Sequence, residues 1–153
     1  MSLESDRFEA LYVEHADRLW RALVAYSGDP DVASDAVAEA FTQCLARGAA
    51  VRAPGQWIWR AAFRIAAGQL KERRMYAATV PENLSETESD TDRLVEALAK
   101  LPPRQRAAVI LHYYVGYRAR EIAVITGSTA ATVRVHLNQG RRRLRRLLEA
   151  LND

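Results

Sequence analysis

Between Thr132 and Arg145 the chain gathers side chains able to read and grip a polyanion: Thr132, Arg134, Val135, His136, Asn138, Arg141, Arg142 and Arg145. An arginine guanidinium presents donors in a planar fork that matches a guanine edge or a phosphate. Arg134 is the candidate for base readout. Val135 can touch a thymine methyl, and Thr132, His136 and Asn138 complete the set of groove contacts. Arg141, Arg142 and Arg145, joined by Arg118 upstream, suit phosphates, which fix register without reading sequence. Two of these residues also have plain structural readings, Thr132 as a capping partner and His136 as a half-buried helix residue.

Such side chains work only if an element holds them in a groove. Glu121, Ile122, Ala123 and Ile125 predict a short amphipathic helix, ended by Gly127, which tolerates positive φ. Thr129 can then cap a second helix through a backbone N–H near Thr132. Val133, Leu137, Leu144, Leu148 and Leu151 recur near helical spacing and mark its buried stripe, which turns the arginines outward. This pattern is a helix-turn-helix whose second helix enters the major groove.

A second constellation lies upstream. Arg60, Arg64 and Lys71 fall on one side of a predicted helix, with Trp57 beside them. Cations for phosphates and an aromatic platform for unstacked bases suit single-stranded DNA. Trp59 and Phe63, with Ile58, Ala62 and Ile65, belong to the wider apolar face and are expected in the core.

Bulk properties narrow the field. The chain has 153 residues, a net charge of +3 and one cysteine, Cys44. An intramolecular disulfide is therefore impossible, and Cys44 on an apolar stripe reads as a buried thiol. No apolar run is long enough to span a bilayer, and MSLESDRFEA lacks the pattern of a secretory signal, so the expected location is cytoplasmic, without membrane insertion. His15, His112 and His136 are scattered, and no glycine-rich phosphate loop occurs. No metal, cofactor, catalytic residue or small-molecule substrate is expected, and the chain does not read as an enzyme. The charge is unevenly spread: residues 1–78 balance ten acids against ten bases, 79–92 hold five acids and no base, and from Arg93 twelve bases face four acids. Polyanion contact is thus expected to concentrate at the C-terminal end.

Helical periodicity runs to about Tyr26, resumes through Ala33–Leu45, and resumes again from Pro54 to about Arg74. Gly28-Asp29-Pro30 and residues 48–55 provide the breaks. Further helices follow at Arg93–Leu101 and from Pro102-Pro103 through Val115. Strand alternation is nowhere visible. The fold class is all-α: two small helical domains, 1–78 and 93–153, joined by a flexible acidic linker, 79–92. That linker can serve as a spacer, or its acids can mimic nucleic acid in a basic groove.

The run LPPRQRAAVILHYYVGYRAREIAVITGSTAATVRVHLNQGRRRLRRLL resembles the promoter-binding C-terminal domain of extracytoplasmic-function (ECF) sigma factors. FEALYVEHADRLWRALVAYSGD, DAVAEAF and PGQWIWRAAFRIAAGQLKERR resemble the other conserved domain of that family, in the family's order. The resemblance implies a dissociable subunit of bacterial core RNA polymerase that directs promoter recognition and helps open promoter DNA. It implies −35 element binding by the C-terminal domain, and clamp binding with −10 strand capture by the N-terminal one. An anti-sigma factor is a further family expectation. On the second helix Asp35, Glu39 and Phe41 match the polymerase-binding pattern. Val32, Ser34, Ala36 and Ala38 replace the usual Asp, Glu, Leu and Gln, while Arg64 and Gly68 replace an Asn and an Asp. These changes mark a divergent member, with polymerase and −10 contacts expected to be weakened. The rival readings are a sigma-like interaction protein or DNA-binding regulator that no longer initiates transcription, and an ordinary dimeric helix-turn-helix regulator.

Overall fold

The computed structural model describes residues 3–76 and 90–152. Every regular element among them is helical: α1 (Leu3–Ser27), α2 (Pro30–Arg47), α3 (Pro54–Tyr76), α4 (Asp90–Ala99), α5 (Pro103–Val109), α6 (Ala119–Thr126) and α7 (Ala130–Asn152). A 3₁₀ turn, Gly48–Ala50, follows α2, and α5 runs on into a π-helical turn, Ile110–Val115. The all-α expectation holds. Most of the acidic linker lies outside the described residues. Its last residues do not extend the tether: Asp90 and Asp92 form the first turn of α4. Acids there complement the positive end of the helix dipole.

Local chemistry explains the boundaries. Asp29 has extended backbone and accepts the Asp31 N–H at 2.8 Å, with Pro30 at the first helical position. Burial on its own would raise the Asp29 carboxyl. The Asp31 N–H and the Arg73 guanidinium outweigh it and hold the group below its ordinary value. The ion pair also ties the end of α3 to the start of α2.

The N-terminal half packs α1, α2 and α3 together. Leu19, Leu23, Phe41, Ile58, Trp59 and Phe63 form its centre, while Ala33, Ala36, Ala40, Ala62 and Ala66 let the helices approach closely. Cys44 is buried there, and burial pushes its thiol up. In the C-terminal half Leu98, Leu101, Leu111, Ile122, Ile125 and Val133 enclose a smaller core. Gly140 sits where α7 crosses α5; a Cβ there would meet Val109 Cγ2 at 2.9 Å.

The two cores are continuous. Helix α3 packs on α6, and α1 packs on α4, α5 and the π turn. Across this boundary Trp59 meets the Tyr117 ring edge-on at 5.7 Å, and Arg18 Nη2 donates to the Val115 carbonyl at 2.9 Å. The buried Arg106 also crosses it, donating to Tyr26 O at 2.6 Å. Nothing in the periodicity announces this contact between the halves.

Candidate nucleic-acid interface

The turn forms as its residues dictate. Gly127 ends α6 with φ +69°, a left-handed conformation that costs glycine little. The Thr129 hydroxyl then accepts the Thr132 N–H at 3.2 Å and donates to the Thr132 hydroxyl at 2.9 Å. At the other end of α6 the Glu121 carboxylate accepts the Arg118 N–H at 3.0 Å. Ile122, Ile125 and Val133 lock the two helices together in the core.

That packing decides what α7 presents. Arg134, Val135, Asn138, Arg141, Arg142 and Arg145 are all exposed, and so are Arg143 and Arg146, which lie outside the set of contacts expected from the sequence. Leu137 and Leu144 pack against the core, together with Leu147, which the expected stripe does not include. Thr132 and His136 are half-buried. His136 Nδ1 is out of solvent and without a hydrogen-bond partner, so this residue offers a groove less than the arginines do. Arg141 is held in place: it donates to Asn138 Oδ1 at 3.1 Å and to Tyr113 Oη at 3.4 Å.

In the N-terminal half, Arg60, Arg64 and Lys71 are exposed along α3 and Trp57 is half-buried near its start. The Arg47 guanidinium lies 5.3 Å from the Trp57 ring centroid, a cation–π distance. Arg47 belongs to the preceding helix, so no spacing rule links it to Trp57. Trp59 and Phe63 are buried, Trp59 donating to His15 Nδ1 at 3.1 Å. These two rings are core residues, as the apolar stripe predicts.

On α2, Asp35 and Glu39 face solvent. Phe41, grouped with them from the sequence, does not share their surface. It is buried, with the Phe8 and Tyr12 rings at 5.9 and 5.0 Å, because its place on the helix falls on the apolar stripe. Val32 and Ala36 are also buried, whereas Ser34 and Ala38 are exposed. Of the four altered positions, only two can therefore change a surface contact. Ser34 additionally accepts the Trp20 indole N–H at 3.0 Å.

The exposed basic residues of α3 and α7 and the formed helix-turn-helix are features suited to binding DNA. Among the described residues no group of His, Cys, Asp and Glu could hold a metal, and no helix is long and apolar enough to cross a membrane. Residues 91–144 match the family model "Sigma-70, region 4". The chain is 29% identical to the ECF RNA polymerase sigma factor SigL of Mycobacterium tuberculosis, over 97% of this chain and 92% of that protein. It is 28% identical to the RNA polymerase sigma factor SigV of Bacillus subtilis, over 81% and 80%. In fold it is similar to the sigma factor RpoE of Bartonella quintana, solved with the anti-sigma factor NepR (TM-score 0.78, 20% identity, 94% of this chain and 97% of that one). It is also similar to CnrH, solved with the cytosolic domain of CnrY (TM-score 0.74, 19% identity, 95% and 90%). Over nearly its whole length the chain is thus similar to ECF RNA polymerase sigma factors.

Proposed function

We propose that this chain is an alternative sigma factor that binds core RNA polymerase and directs it to a set of promoters through two DNA-reading surfaces. The observation that carries the reading is the arginine-lined outer face of α7, set behind a formed helix-turn-helix, in a chain that aligns over nearly its whole length with an ECF sigma factor. Residues 93–153 act as the −35-binding domain and 1–78 as the domain for polymerase and the −10 element. Arg134 reads a base edge, with Val135, Asn138 and Thr132 as groove neighbours. Arg118, Arg141, Arg142 and Arg145 neutralise phosphates. Trp57, Arg60, Arg64 and Lys71 receive the unpaired −10 strand, and Asp35 and Glu39 meet the polymerase.

The protein does no covalent chemistry and works in the cytoplasm, where polymerase and promoter are found. An anti-sigma factor is its expected regulator, a reading supported by the similar fold of RpoE, solved with the anti-sigma factor NepR. The exposed Ser34 and Ala38 favour a second reading, a sigma-like protein that binds a partner without engaging polymerase. Co-elution of the purified chain with bacterial core RNA polymerase at moderate salt separates the two. Stable co-elution supports the sigma factor; a folded monomer that fails to co-elute supports the second reading.

A further inference from the structure

We propose that Tyr113, which lies outside α7, is a positioning residue for DNA reading. It fixes Arg141, and Arg141 turns the Asn138 amide so that it offers the groove donors and selects guanine over adenine. The proposal rests on the sigma-factor reading above and names the base that one residue of its DNA surface takes.

Tyr113 stands on the π turn Ile110–Val115, an element of a kind that recurs at functional sites. It is 57% exposed, so core packing does not hold it. Its neighbours do. The His112 ring meets it edge-on at 4.8 Å, and His112 Nδ1 lies 2.8 Å from Tyr117 O. A carbonyl only accepts, so Nδ1 carries the hydrogen and the imidazole is pinned. At the end of the Tyr113 ring the hydroxyl accepts from Arg141 Nη1 at 3.4 Å. Arg141 Nη2 donates to Asn138 Oδ1 at 3.1 Å. These bonds leave the Nε–H and one proton on each terminal nitrogen of Arg141 for a phosphate. Among the described residues, the Tyr113 hydroxyl is what ties these two α7 side chains to another element.

The donor-only character of arginine decides what Asn138 presents. A guanidinium has no acceptor, so the amide oxygen, not the nitrogen, must face it. The end of the amide left over is Nδ2, which only donates. Asparagine reads adenine by accepting from N6 while donating to N7, which needs its oxygen at the base. With that oxygen turned to Arg141, the matching edge is guanine, whose N7 and O6 both accept. Thymine offers O4 alone and cytosine offers a donor, so both rank below guanine. Asn138 is exposed one turn beyond Arg134, on the face that the helix-turn-helix leaves open. Its amide is thus placed to reach a base edge.

Selection from a pool of randomised duplexes, with the full-length chain alone and with core RNA polymerase, tests the assignment. Wild type, Tyr113→Phe, Arg141→Ala and Asn138→Ala are compared, and anisotropy on the selected duplex gives the salt slope of each. Circular dichroism melts identify any variant that unfolds; Tyr113→Phe and Arg141→Ala each decide the matter if the other does not fold. Asn138→Ala marks the position read by flattening preference there. At that position wild type is expected to favour guanine over adenine by about tenfold or more. Tyr113→Phe keeps the ring on His112 and loses only the hydroxyl. It should lower the ratio to about threefold or less, with other positions and the salt slope unchanged. Arg141→Ala should lower the ratio likewise and reduce the salt slope by about one.

A wild-type preference for adenine at that position overturns the proposal. So does a Tyr113→Phe profile identical to wild type, which is what a merely packed ring would give. If Asn138→Ala leaves the profile unchanged, Asn138 reads no base, and the proposal falls while the sigma-factor reading stands. If no form selects any sequence, with or without polymerase, the DNA-reading assignment of α7 falls together with this proposal.

Discussion

Arg106 Nη1 lies 2.6 Å from the backbone oxygen of Tyr26, eighty positions away in the chain. The bond joins a helix end in the first half to the interior of the second, so it bears on stability as well as on arrangement. Removing the guanidinium deletes four charge-assisted hydrogen bonds to backbone carbonyls, of which Leu98 O keeps the Leu101 N–H, and each such bond contributes about 1.5–3 kcal/mol. Arg106→Ala is expected to lose about 3 kcal/mol or more in urea unfolding, and Arg106→Lys less, because an ammonium keeps the charge and some donors.

Two glycines inside helices have opposite fates. A Cβ at Gly68 would stand in open space, whereas at Gly140 it would meet Val109 and Gln105. Gly68→Ala is expected to stabilise by about 0.5–1 kcal/mol through helix propensity. Gly140→Ala is expected to destabilise, since overpacking of about 1–3 kcal/mol exceeds the propensity gain. Thermal melts should show Tm moving in opposite directions, by about 2–4 °C per kcal/mol.

Thr129 closes the first turn of α7. Thr129→Ala should cost about 1 kcal/mol by loss of the cap. Thr129→Ser, which keeps the hydroxyl, should restore most of it. The two variants are compared by thermal unfolding under one buffer condition.

Asp29 gives stability a pH dependence. Its carboxyl is held below the ordinary 3.8, so the folded state favours the ionised form. The contribution is complete above the unfolded value and lost as pH falls through the lower folded one. Asp29→Asn keeps a capping side chain but removes the charge. It should cost about 0.5–1 kcal/mol at pH 7, discounted for the partly exposed Arg73 partner. The difference from wild type should shrink as pH drops below 3.8, which urea unfolding at neutral and strongly acid pH measures.

The arginines of α7 should separate into two kinds. Arg134→Ala is expected to relax sequence preference among promoter variants. Arg142→Ala should weaken all duplexes about equally and lower the salt slope of binding by about one. Fluorescence anisotropy across a salt series reads both, and melts of the two variants establish that neither effect is a loss of fold.

Local rules in the chain settled much of this protein. Apolar periodicity defined the helices, Gly127 and Thr129 specified the turn, and the stripe through Val133 and Leu137 determined which α7 residues face out. These signals are legible because hydrogen bonds and steric limits link residues only a few positions apart. The tertiary structure decided the rest. It set Phe41 against the Phe8 and Tyr12 rings, because the apolar stripe marks a buried face but only packing decides which helix covers it. It placed Arg47 over Trp57, lodged Arg106 between two helix ends and pressed Trp59 onto Tyr117. Those contacts pair residues from different helices, and no period in the sequence encodes which helix ends will converge in space.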